Sequence, residues 1–368
     1  MISRREWLAG MVGAAGAWVV HSQGMEALAA PPKLGFRPDG VLIESHVHLV
    51  SDEPSRFPFS TVAPYHPRPL PVQEYVKFAA EAGINHTVIV SPEPYQDDMS
   101  YMEYCFSQEP SKGFFKGVCL FDPISPATPN RLQELVRRNP GRIVALRIHE
   151  YLPHQAGTAY PTSGPIRERN LMDPQMLATW RAAHDLGMGI LLQLIPQYAQ
   201  QIGELAAKLP SMPVYLDHLA RPAEGTAEEY EQVLKLAHLP NVYMKYTTTG
   251  VQSAATAAIR QAQGLPPVVE RAESAAPAIG TQRGEAQPGT GRGQRGPGEA
   301  YPFPSAKPLV KRVYDAFGAD RIMWGELGSN VDAFEKAVNL LNMMFDFAPE
   351  TERKKIRGLT AQKLFAFS

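Results

Sequence analysis

The feature that most restricts the fold is a regular alternation of two kinds of segment along the chain. Short apolar or β-branched runs, each bounded by turn residues, are followed by longer stretches with amphipathic helical spacing. Eight such runs predict strands over 41–48, 86–91, 115–121, 143–149, 189–194, 214–219, 242–248 and 321–326. The helical patterns between and after them cover 72–82, 130–138, 174–186, 197–209, 227–237, 309–317 and 331–347.

This alternation limits the choice of architecture. Strands and helices that alternate strictly, with nearly continuous apolar strands, require a parallel sheet covered by helices. Eight such units are the number that closes a (β/α)8 barrel of typically about 250 residues. An open, doubly wound sheet is the alternative, but no GxGxxG motif follows the first strand. We therefore predict an α/β protein with a (β/α)8 TIM barrel.

Composition excludes several classes of protein. The 368 residues are 44% hydrophobic, which is enough for a large core and excludes disorder throughout the chain. Lys+Arg 36 against Asp+Glu 37 gives a net charge of -1, so no global field favours nucleic acid or an anionic membrane. Cys105 and Cys119 lie outside any CxxC motif, which argues against a disulfide scaffold or structural zinc. A small molecule is the predicted partner.

The amino-terminal residues have the pattern of a twin-arginine export signal. Arg4 and Arg5 precede an apolar run over 9–20, and small residues up to Ala29 provide a cleavage site. A membrane anchor is disfavoured because a spanning helix needs about 20 apolar residues. We predict a signal peptide over 1–29 that engages the twin-arginine export machinery. The protein is then periplasmic or otherwise exported, with no stable membrane span.

The alternation breaks between the seventh and eighth predicted strands. Ala-rich residues from Ser253 give way to Gly-rich sequence such as 289–298, and no core can be built from such composition. We predict a low-complexity, disordered insertion over 253–306. A lid over the barrel mouth is the alternative, because the loop emerges at the catalytic face of such a barrel.

Three histidines at strand ends are the first candidates for chemistry. His46 and His48 lie two residues apart at the end of the first strand, so both can point into the barrel at its carboxyl-terminal mouth. Two imidazoles placed in this way can hold one metal ion. His218 ends the sixth strand and supplies a third imidazole from across the barrel, either as a ligand or as a substrate contact. A buried structural histidine is the alternative for each.

Several short motifs together resemble the amidohydrolase-2 branch of the amidohydrolase superfamily. They are Glu44-Ser45-His46-Val47-His48, Tyr95-Gln96-Asp97-Asp98, Ala145-Leu146-Arg147, Asp217-His218-Leu219-Ala220-Arg221-Pro222, Asn241-Val242-Tyr243-Met244-Lys245 and Met323-Trp324-Gly325. Within that branch the chain most resembles the lactonase group related to 2-pyrone-4,6-dicarboxylate lactonase and the sugar-acid lactonases. The resemblance implies that residues 41–368 form a TIM barrel that hydrolyses a cyclic ester or amide, with water as the nucleophile.

One departure from the family pattern concerns the eighth strand. The family usually has Gly-Ser-Asp-Trp-Pro there, and its Asp ligates a metal or takes a proton from water. Leu327 occupies the Asp position in this chain, and Glu326 is the nearest carboxylate. We predict Glu326 as the functional carboxylate, with Asp332 as the alternative. Strand alternation turns Glu326 away from the barrel centre unless the strand end shifts by one residue.

A second departure is Gln193 in the fifth strand, where metal-dependent members of the family carry a histidine. The loss of that ligand lowers the expected metal affinity, and the fourth strand offers no lysine that could be carboxylated. A binuclear centre is therefore not expected. One divalent ion, Zn²⁺ or Mn²⁺, on His46, His48, His218 and Glu326 is one possibility, and catalysis without a metal is the other.

Ester hydrolysis needs a base for water, donors for the developing oxyanion, and groups that hold the substrate. Glu326 is the predicted base, and His46, His48 and His218 are the predicted donors or ligands. Arginine suits a carboxylate on the substrate, which predicts a small anionic lactone. The predicted substrate-binding residues lie at or near strand ends and are Arg147, Arg221, His149, Asp97 and Lys245.

Three functions are therefore open. The main prediction is an exported lactonase, a carboxylic ester hydrolase of the amidohydrolase family. The second is a metal-dependent decarboxylase on the same fold, against which Gln193 and Leu327 both count. The third is a catalytically impaired binding protein, because the family's Asp is missing.

Overall fold

The computed structural model of the chain describes residues 39–61, 63, 66–149, 171–193, 195–268, 299–326 and 331–367. Eight strands form a single sheet in which each strand pairs in parallel with the next strand along the chain. They are β1 (Ile43–Val47), β2 (His86–Val90), β3 (Phe115–Leu120), β4 (Ile143–His149), β5 (Gly189–Gln193), β6 (Val214–Leu216), β7 (Val242–Tyr246) and β8 (Ile322–Trp324). The predicted (β/α)8 TIM barrel is confirmed.

Helices follow the strands and cover the outside of the sheet. Each of the seven predicted helices overlaps an observed one, and no helix of the described residues has the length and apolar character needed to span a membrane. The α-helices are α1 (Val72–Ala82), α2 (Ser100–Ser107), α3 (Thr128–Arg138), α4 (Pro174–Asp185), α5 (Ala199–Lys208), α6 (Ala227–Lys235), α7 (Thr248–Ala262), α8 (Lys307–Phe317), α9 (Val331–Met344), α10 (Glu350–Lys354) and α11 (Thr360–Leu364).

Residues 253–262, at the start of the predicted insertion, belong to helix α7. Helix α7 continues through Ala262, because its alanines favour a helix and Ala254 on its inner face is fully buried. At the other end, the 3-10 turn Pro304–Ala306 leads directly into α8. Residues 269–298 lie outside the described part of the chain, so a disordered insertion there stays a prediction.

The lower part of the barrel is filled by apolar side chains. The last residues of the chain close its amino-terminal end. Phe365 packs against Tyr215 with ring centroids 5.3 Å apart, and Phe367 stacks on His86 at 4.5 Å. Polar chemistry is therefore confined to the opposite, carboxyl-terminal mouth. The strand residues of this filling are Ile43, Val88, Val90, Val118, Ala145, Leu191, Tyr215 and Met323.

The first and last strands meet through side chains. Within the described residues, the backbone ladder runs in order from β1 to β8. Ser45 Oγ donates a hydrogen bond to the Trp324 carbonyl at 2.6 Å, and the backbone N–H of Glu326 donates to Glu44 Oε1 at 2.9 Å. These bonds join β8 to β1 at the level of the site. Glu44 therefore has a structural task, because its carboxylate holds the end of β8.

Gly325 generates the first testable prediction. A Cβ atom at this position would lie 2.8 Å from His46 Cβ and 2.9 Å from Ser45 Oγ, so Gly325→Ala must push β8 and β1 apart. We expect a loss of about 1–3 kcal/mol in the free energy of unfolding, measured by denaturant titration. Gly203→Ala within α5 is the control, because its Cβ meets only the end of Leu236 at 3.0 Å. A Gly325→Ala protein as stable as the wild type would contradict the close approach.

Candidate active site

A layer of buried polar side chains lies directly above the apolar filling. Each member follows an inward-facing residue by two positions, so strand alternation turns it inward as well. All four members are buried, which makes the site a desolvated cluster of charges and amides. The pairs are Ala145 with Arg147, Leu191 with Gln193, Tyr215 with Asp217, and Tyr243 with Lys245.

His46 lies at the centre of this cluster. The residue is fully buried, and its Nδ1 lies 3.0 Å from Asp217 Oδ1 and 3.1 Å from Lys245 Nζ. We assign the Nδ1 proton to the bond with Asp217, because an ionised carboxylate oxygen can only accept. The lone pair is then on Nε2, which has no hydrogen-bond partner among the described residues.

A register irregularity in β1 helps to place this imidazole. The pairing with β2 shifts between Glu44 and Val47, which flank His46 on the strand. Such irregularities re-aim side chains at barrel rims and next to active sites. The placement of His46 therefore depends on this irregularity as well as on the simple alternation that predicted it.

Asp217 and Lys245 form a buried ion pair beside His46. Lys245 Nζ lies 3.4 Å from Asp217 Oδ1 and donates to the Ser45 carbonyl at 2.8 Å. Burial lowers the pKa of Lys245 despite the nearby carboxylate. Burial alone would raise the pKa of Asp217, but its interactions with His46 and Lys245 hold it well below the usual value. Asp217 is therefore a carboxylate fixed by its neighbours.

The other two predicted histidines lie beside His46. The ring centroids of His48 and His218 are 5.1 Å and 4.9 Å from that of His46. His48 Nδ1 donates to the carbonyl at the end of β2 at 2.8 Å, which leaves its lone pair on Nε2. Burial, together with the charge of Arg147, lowers the pKa of His48 to about 4. Burial also lowers the pKa of His46 well below its usual range, so both imidazoles are neutral near pH 7.

Arg147 is held in one orientation by two polar partners. One terminal nitrogen donates to Glu93 Oε1 at 2.9 Å, and the other donates to the Gln193 side-chain oxygen. The guanidinium Nε lies 3.8 Å from Asp217 Oδ2. Arg147 Nε and Asp217 Oδ2 form no hydrogen bond with a described residue. The site therefore presents a buried N–H donor at a fixed position next to a buried carboxylate oxygen.

His218 begins a left-handed turn that positions it at the mouth. Residues 218–221 all have φ between 52° and 56°, a conformation that costs L-amino acids roughly 1–2 kcal/mol each. Tyr230 Oη stabilises the turn by donating to the Leu219 carbonyl at 2.7 Å. Gly250 leaves the necessary space, since a Cβ there would lie 2.7 Å from the carbonyl carbon of His218. Prediction of the sixth strand through residue 219 missed this turn.

Arg221 ends the same turn and is paired with a glutamate. Its Nε donates to Glu224 Oε1 at 2.9 Å, and a terminal nitrogen pairs with the second carboxylate oxygen. Both side chains are nearly inaccessible to solvent. The guanidinium is thus already engaged by a carboxylate of the protein, which weakens its predicted role in binding a substrate carboxylate.

Glu326 lies outside the histidine cluster. Its Oε2 accepts hydrogen bonds from Thr248 Oγ1 at 2.6 Å and from the Thr248 backbone N–H at 3.3 Å, at the start of α7. Because Met323 faces the barrel interior, alternation along the chain turns Glu326 away from the centre. Burial raises the pKa of Glu326 to about 8. The hydrogen bonds from Thr248 lower this pKa, and the charge of Glu44 raises it further. A carboxyl group that is mostly protonated at neutral pH does not suit the predicted role of base.

The remaining predicted residues have other partners, are exposed or lie outside the described part of the chain. Asp97 pairs with Arg131 of α3. Asp332, the alternative carboxylate, is exposed in the first turn of α9. His149 ends β4, but its side chain lies outside the described part of the structure, and Leu327 does too.

A group with metal-ligand spacing is present within the described residues. The ligand atoms of His46, Asp217 and His218 all lie within 4.8 Å of one another. Two imidazoles and one carboxylate are a donor set that Zn²⁺ accepts. This group differs from the predicted ligand set, because it includes Asp217 and leaves out His48 and Glu326.

Sequence reasoning missed three buried carboxylates of the site. Asp217 carried a usable signal, since it follows the apolar residues of β6 and precedes a candidate histidine. Glu44 was seen only as part of a motif. Glu93 had no periodic signal, because it lies in the 3-10 turn Glu93–Tyr95 and its partner Arg147 is on a different strand.

The raised pKa of Glu326 leads to a prediction on stability. A carboxyl group that keeps its proton up to about pH 8 in the folded state stabilises the fold below about pH 4.5, and this contribution is lost as the pH rises toward 8. Glu326→Gln should therefore gain stability relative to the wild type between about pH 5 and pH 8, measured by chemical denaturation. The exposed Glu81→Gln is the control, and we expect it to show no such trend. A pH-independent difference for Glu326→Gln would show that this carboxyl ionises normally.

Comparisons with solved structures match the barrel. The chain is similar to a probable 2-pyrone-4,6-dicarboxylic acid hydrolase from Acinetobacter baumannii with citric acid bound, at 17% identity, 89% coverage of this chain, 99% of that chain and a TM-score of 0.59. It is also similar to an amidohydrolase from Burkholderia multivorans with bound Zn, at 13% identity, 89% and 100% coverage and a TM-score of 0.55. At such identities the likeness shows the fold. A search among curated proteins gave no significant match.

The family follows from the sequence itself. The Amidohydrolase family profile matches residues 43–367, which is nearly all of the predicted barrel. This match confirms the predicted resemblance and the interpretation of the chain as an amidohydrolase-family hydrolase. With its eight parallel strands and its histidines at the carboxyl-terminal mouth, the chain belongs to the amidohydrolase family.

Proposed function

We propose that the chain hydrolyses a small cyclic ester, a lactone, at the carboxyl-terminal mouth of the barrel. The observation that carries this proposal is the buried His46 imidazole, which Asp217 holds through Nδ1 while Nε2 has no partner among the described residues. An acceptor in this position can orient a water molecule and receive its proton during attack on a carbonyl carbon. The similarity to a probable 2-pyrone-4,6-dicarboxylic acid hydrolase from Acinetobacter baumannii supports the choice of a cyclic ester, because a 2-pyrone ring is one.

Arg147 supplies the complementary donor. Its two terminal nitrogens are occupied by Glu93 and Gln193, so the Nε–H group has a fixed direction toward the Asp217 side of the site. A pre-oriented donor in a dry site stabilises the negative charge that develops on an ester oxygen. Since the partners of Arg147 are themselves buried, the donor needs no rearrangement during the reaction.

The site contains the kinds of donor atom that hold a divalent metal ion. Of the three ligand-type residues, His46 and Asp217 each have a buried atom without a hydrogen-bond partner among the described residues, and the third, His218, lies within 4.8 Å. His46, Asp217 and His218 would hold the ion. When bound, it would occupy the Nε2 lone pair in place of a proton, so it would replace the His46 base and polarise an ester carbonyl or a water molecule instead. The relative from Burkholderia multivorans with bound Zn supports this assignment.

The charge of the substrate is a separate question. The predicted anionic substrate depended on Arg147 and Arg221, and both now have a glutamate partner, Glu93 and Glu224. The relative with bound citric acid, in contrast, favours an anionic ligand. We therefore propose recognition of the ester group itself. The substrate panel should pair neutral hydroxylated lactones with lactones that carry carboxylates.

The direct test measures lactone hydrolysis by the purified protein and by His46→Gln. We expect the wild type to hydrolyse at least one lactone of the panel, and we expect His46→Gln to lower kcat/KM about 100-fold or more. His184→Gln is the matched control, because His184 contacts Ser211 on the surface and should keep full activity. A wild type that hydrolyses no lactone, with or without added Zn²⁺, would refute the proposal. Binding without turnover would favour an impaired binding protein instead.

We also propose that the protein is exported through the twin-arginine pathway. The support is the Arg4-Arg5 pair ahead of an apolar run and a small-residue cleavage site. Changing both arginines to lysine should retain the protein in the cytoplasm, as measured by cell fractionation of a bacterium with this pathway. Arg37→Lys, which lies beyond the predicted signal, is the control and should be exported normally. Export of the Arg4→Lys, Arg5→Lys protein would contradict the prediction.

A further inference from the structure

Lys245 places a positive charge within the group that could bind a metal. Its Nζ lies 3.1 Å from His46 Nδ1 and 3.4 Å from Asp217 Oδ1, and the residue is only 1% exposed. These two contacts are with ligand residues of the candidate metal site. The ammonium also donates to the Ser45 carbonyl at 2.8 Å, which fixes its position. A buried cation is thus built into the ligand set.

A divalent ion and this ammonium would repel each other. An ion bound by His46 and Asp217 would share their immediate surroundings with Lys245, in a buried site where solvent screens charges weakly. Arg147 adds a second cation, since its Nε lies 3.8 Å from Asp217 Oδ2. Asp217 is the only carboxylate in the ligand group, and its charge is already balanced by Lys245.

The other carboxylates near the site do not cancel this repulsion. Glu93 is paired with Arg147. Glu44 accepts hydrogen bonds from the backbone N–H groups of His46 and Glu326. Both charges are therefore already engaged by protein donors, and the ion would gain its main attraction from Asp217, which it would have to share with Lys245.

We propose that Lys245 acts as an internal cation that keeps the affinity of the His46, Asp217 and His218 group for divalent metal ions low. The ammonium pairs with Asp217, the carboxylate that accepts the His46 Nδ1–H hydrogen bond, and so occupies the counterion position that a metal ion would need. Removal of the positive charge leaves Asp217 as a buried carboxylate without its counterion. A divalent ion can then take the place of the Lys245 ammonium. This inference concerns metal binding and holds whichever reaction the site catalyses.

The test measures Zn²⁺ and Co²⁺ binding to the full-length folded protein by calorimetry and, for Co²⁺, by visible absorption. Lys245→Met keeps the length of the side chain without its charge, and we expect it to bind Zn²⁺ at least about tenfold more tightly than the wild type. Lys245→Gln is a second variant, which keeps a donor for the Ser45 carbonyl. Lys116→Met is the control, because Lys116 contacts the Gly141 carbonyl on the outer surface, and it should bind as the wild type does.

A further variant shows whether the gained site is the proposed one. Adding Asp217→Asn to Lys245→Met should abolish the gain in affinity, and the Co²⁺ spectrum of coordinated imidazole should disappear with it. Equal Zn²⁺ affinities for the wild type and a folded Lys245 variant would overturn the proposal.

The wild type alone provides an independent measurement. After incubation with one equivalent of Zn²⁺ and gel filtration, we expect it to retain much less than one ion per chain. Stoichiometric retention by the wild type would overturn the proposal even if neither Lys245 variant folds. The outcome is separate from lactone hydrolysis, so failure here and failure of the proposed function can be told apart.

Discussion

The structure of the site depends on one buried contact among three strands. His46 from β1, Asp217 from the end of β6 and Lys245 from β7 meet with atoms 3.0 to 3.4 Å apart, in a layer closed to solvent. A buried ion pair is costly to form, and loss of one partner typically costs about 3–5 kcal/mol because the other charge remains unpaired. Each of the three groups therefore constrains the others, and together they determine which nitrogen of His46 is free to act.

The barrel supplies the conditions that this contact requires. Gly325 allows β8 to approach β1 closely at His46, and Ser45 and Glu44 fasten the two strands there. The strained turn over 218–221 brings His218 beside the same imidazole. Strain of this kind persists only where surrounding contacts compensate for it, and such sites are often functional. The contacts between β8 and β1 and the strained turn over 218–221 thus both position groups around the His46 imidazole.

The sequence predicted the positions of the strands and of the histidines at their ends better than the contacts between residues that are distant along the chain. Alternation of apolar strands and amphipathic helices is a local property, so all eight strands could be placed within a few residues. The positions of His46 and His218 at strand ends followed from the same pattern. Alternation also turned Glu326 away from the barrel centre, but its partner Thr248 could not be predicted, because that contact depends on how the end of β8 lies against β1 and α7. Glu93 is a similar case, since its importance arises only through Arg147, 54 residues away.

The departure from the family pattern at Gln193 can be understood from the charge pairs of the site. Gln193 stands where the family resemblance led us to expect a metal ligand, and its side-chain oxygen accepts a hydrogen bond from Arg147. An amide can hold a guanidinium in this way, whereas an imidazole placed there for a metal would add a competing donor or ligand. The site is consequently built from protein charge pairs, in which Arg147 faces Glu93 and Lys245 faces Asp217. Because both pairs are buried, they can fix the directions of a donor and an acceptor around a substrate carbonyl, which is the main requirement for hydrolysis at a dry barrel mouth.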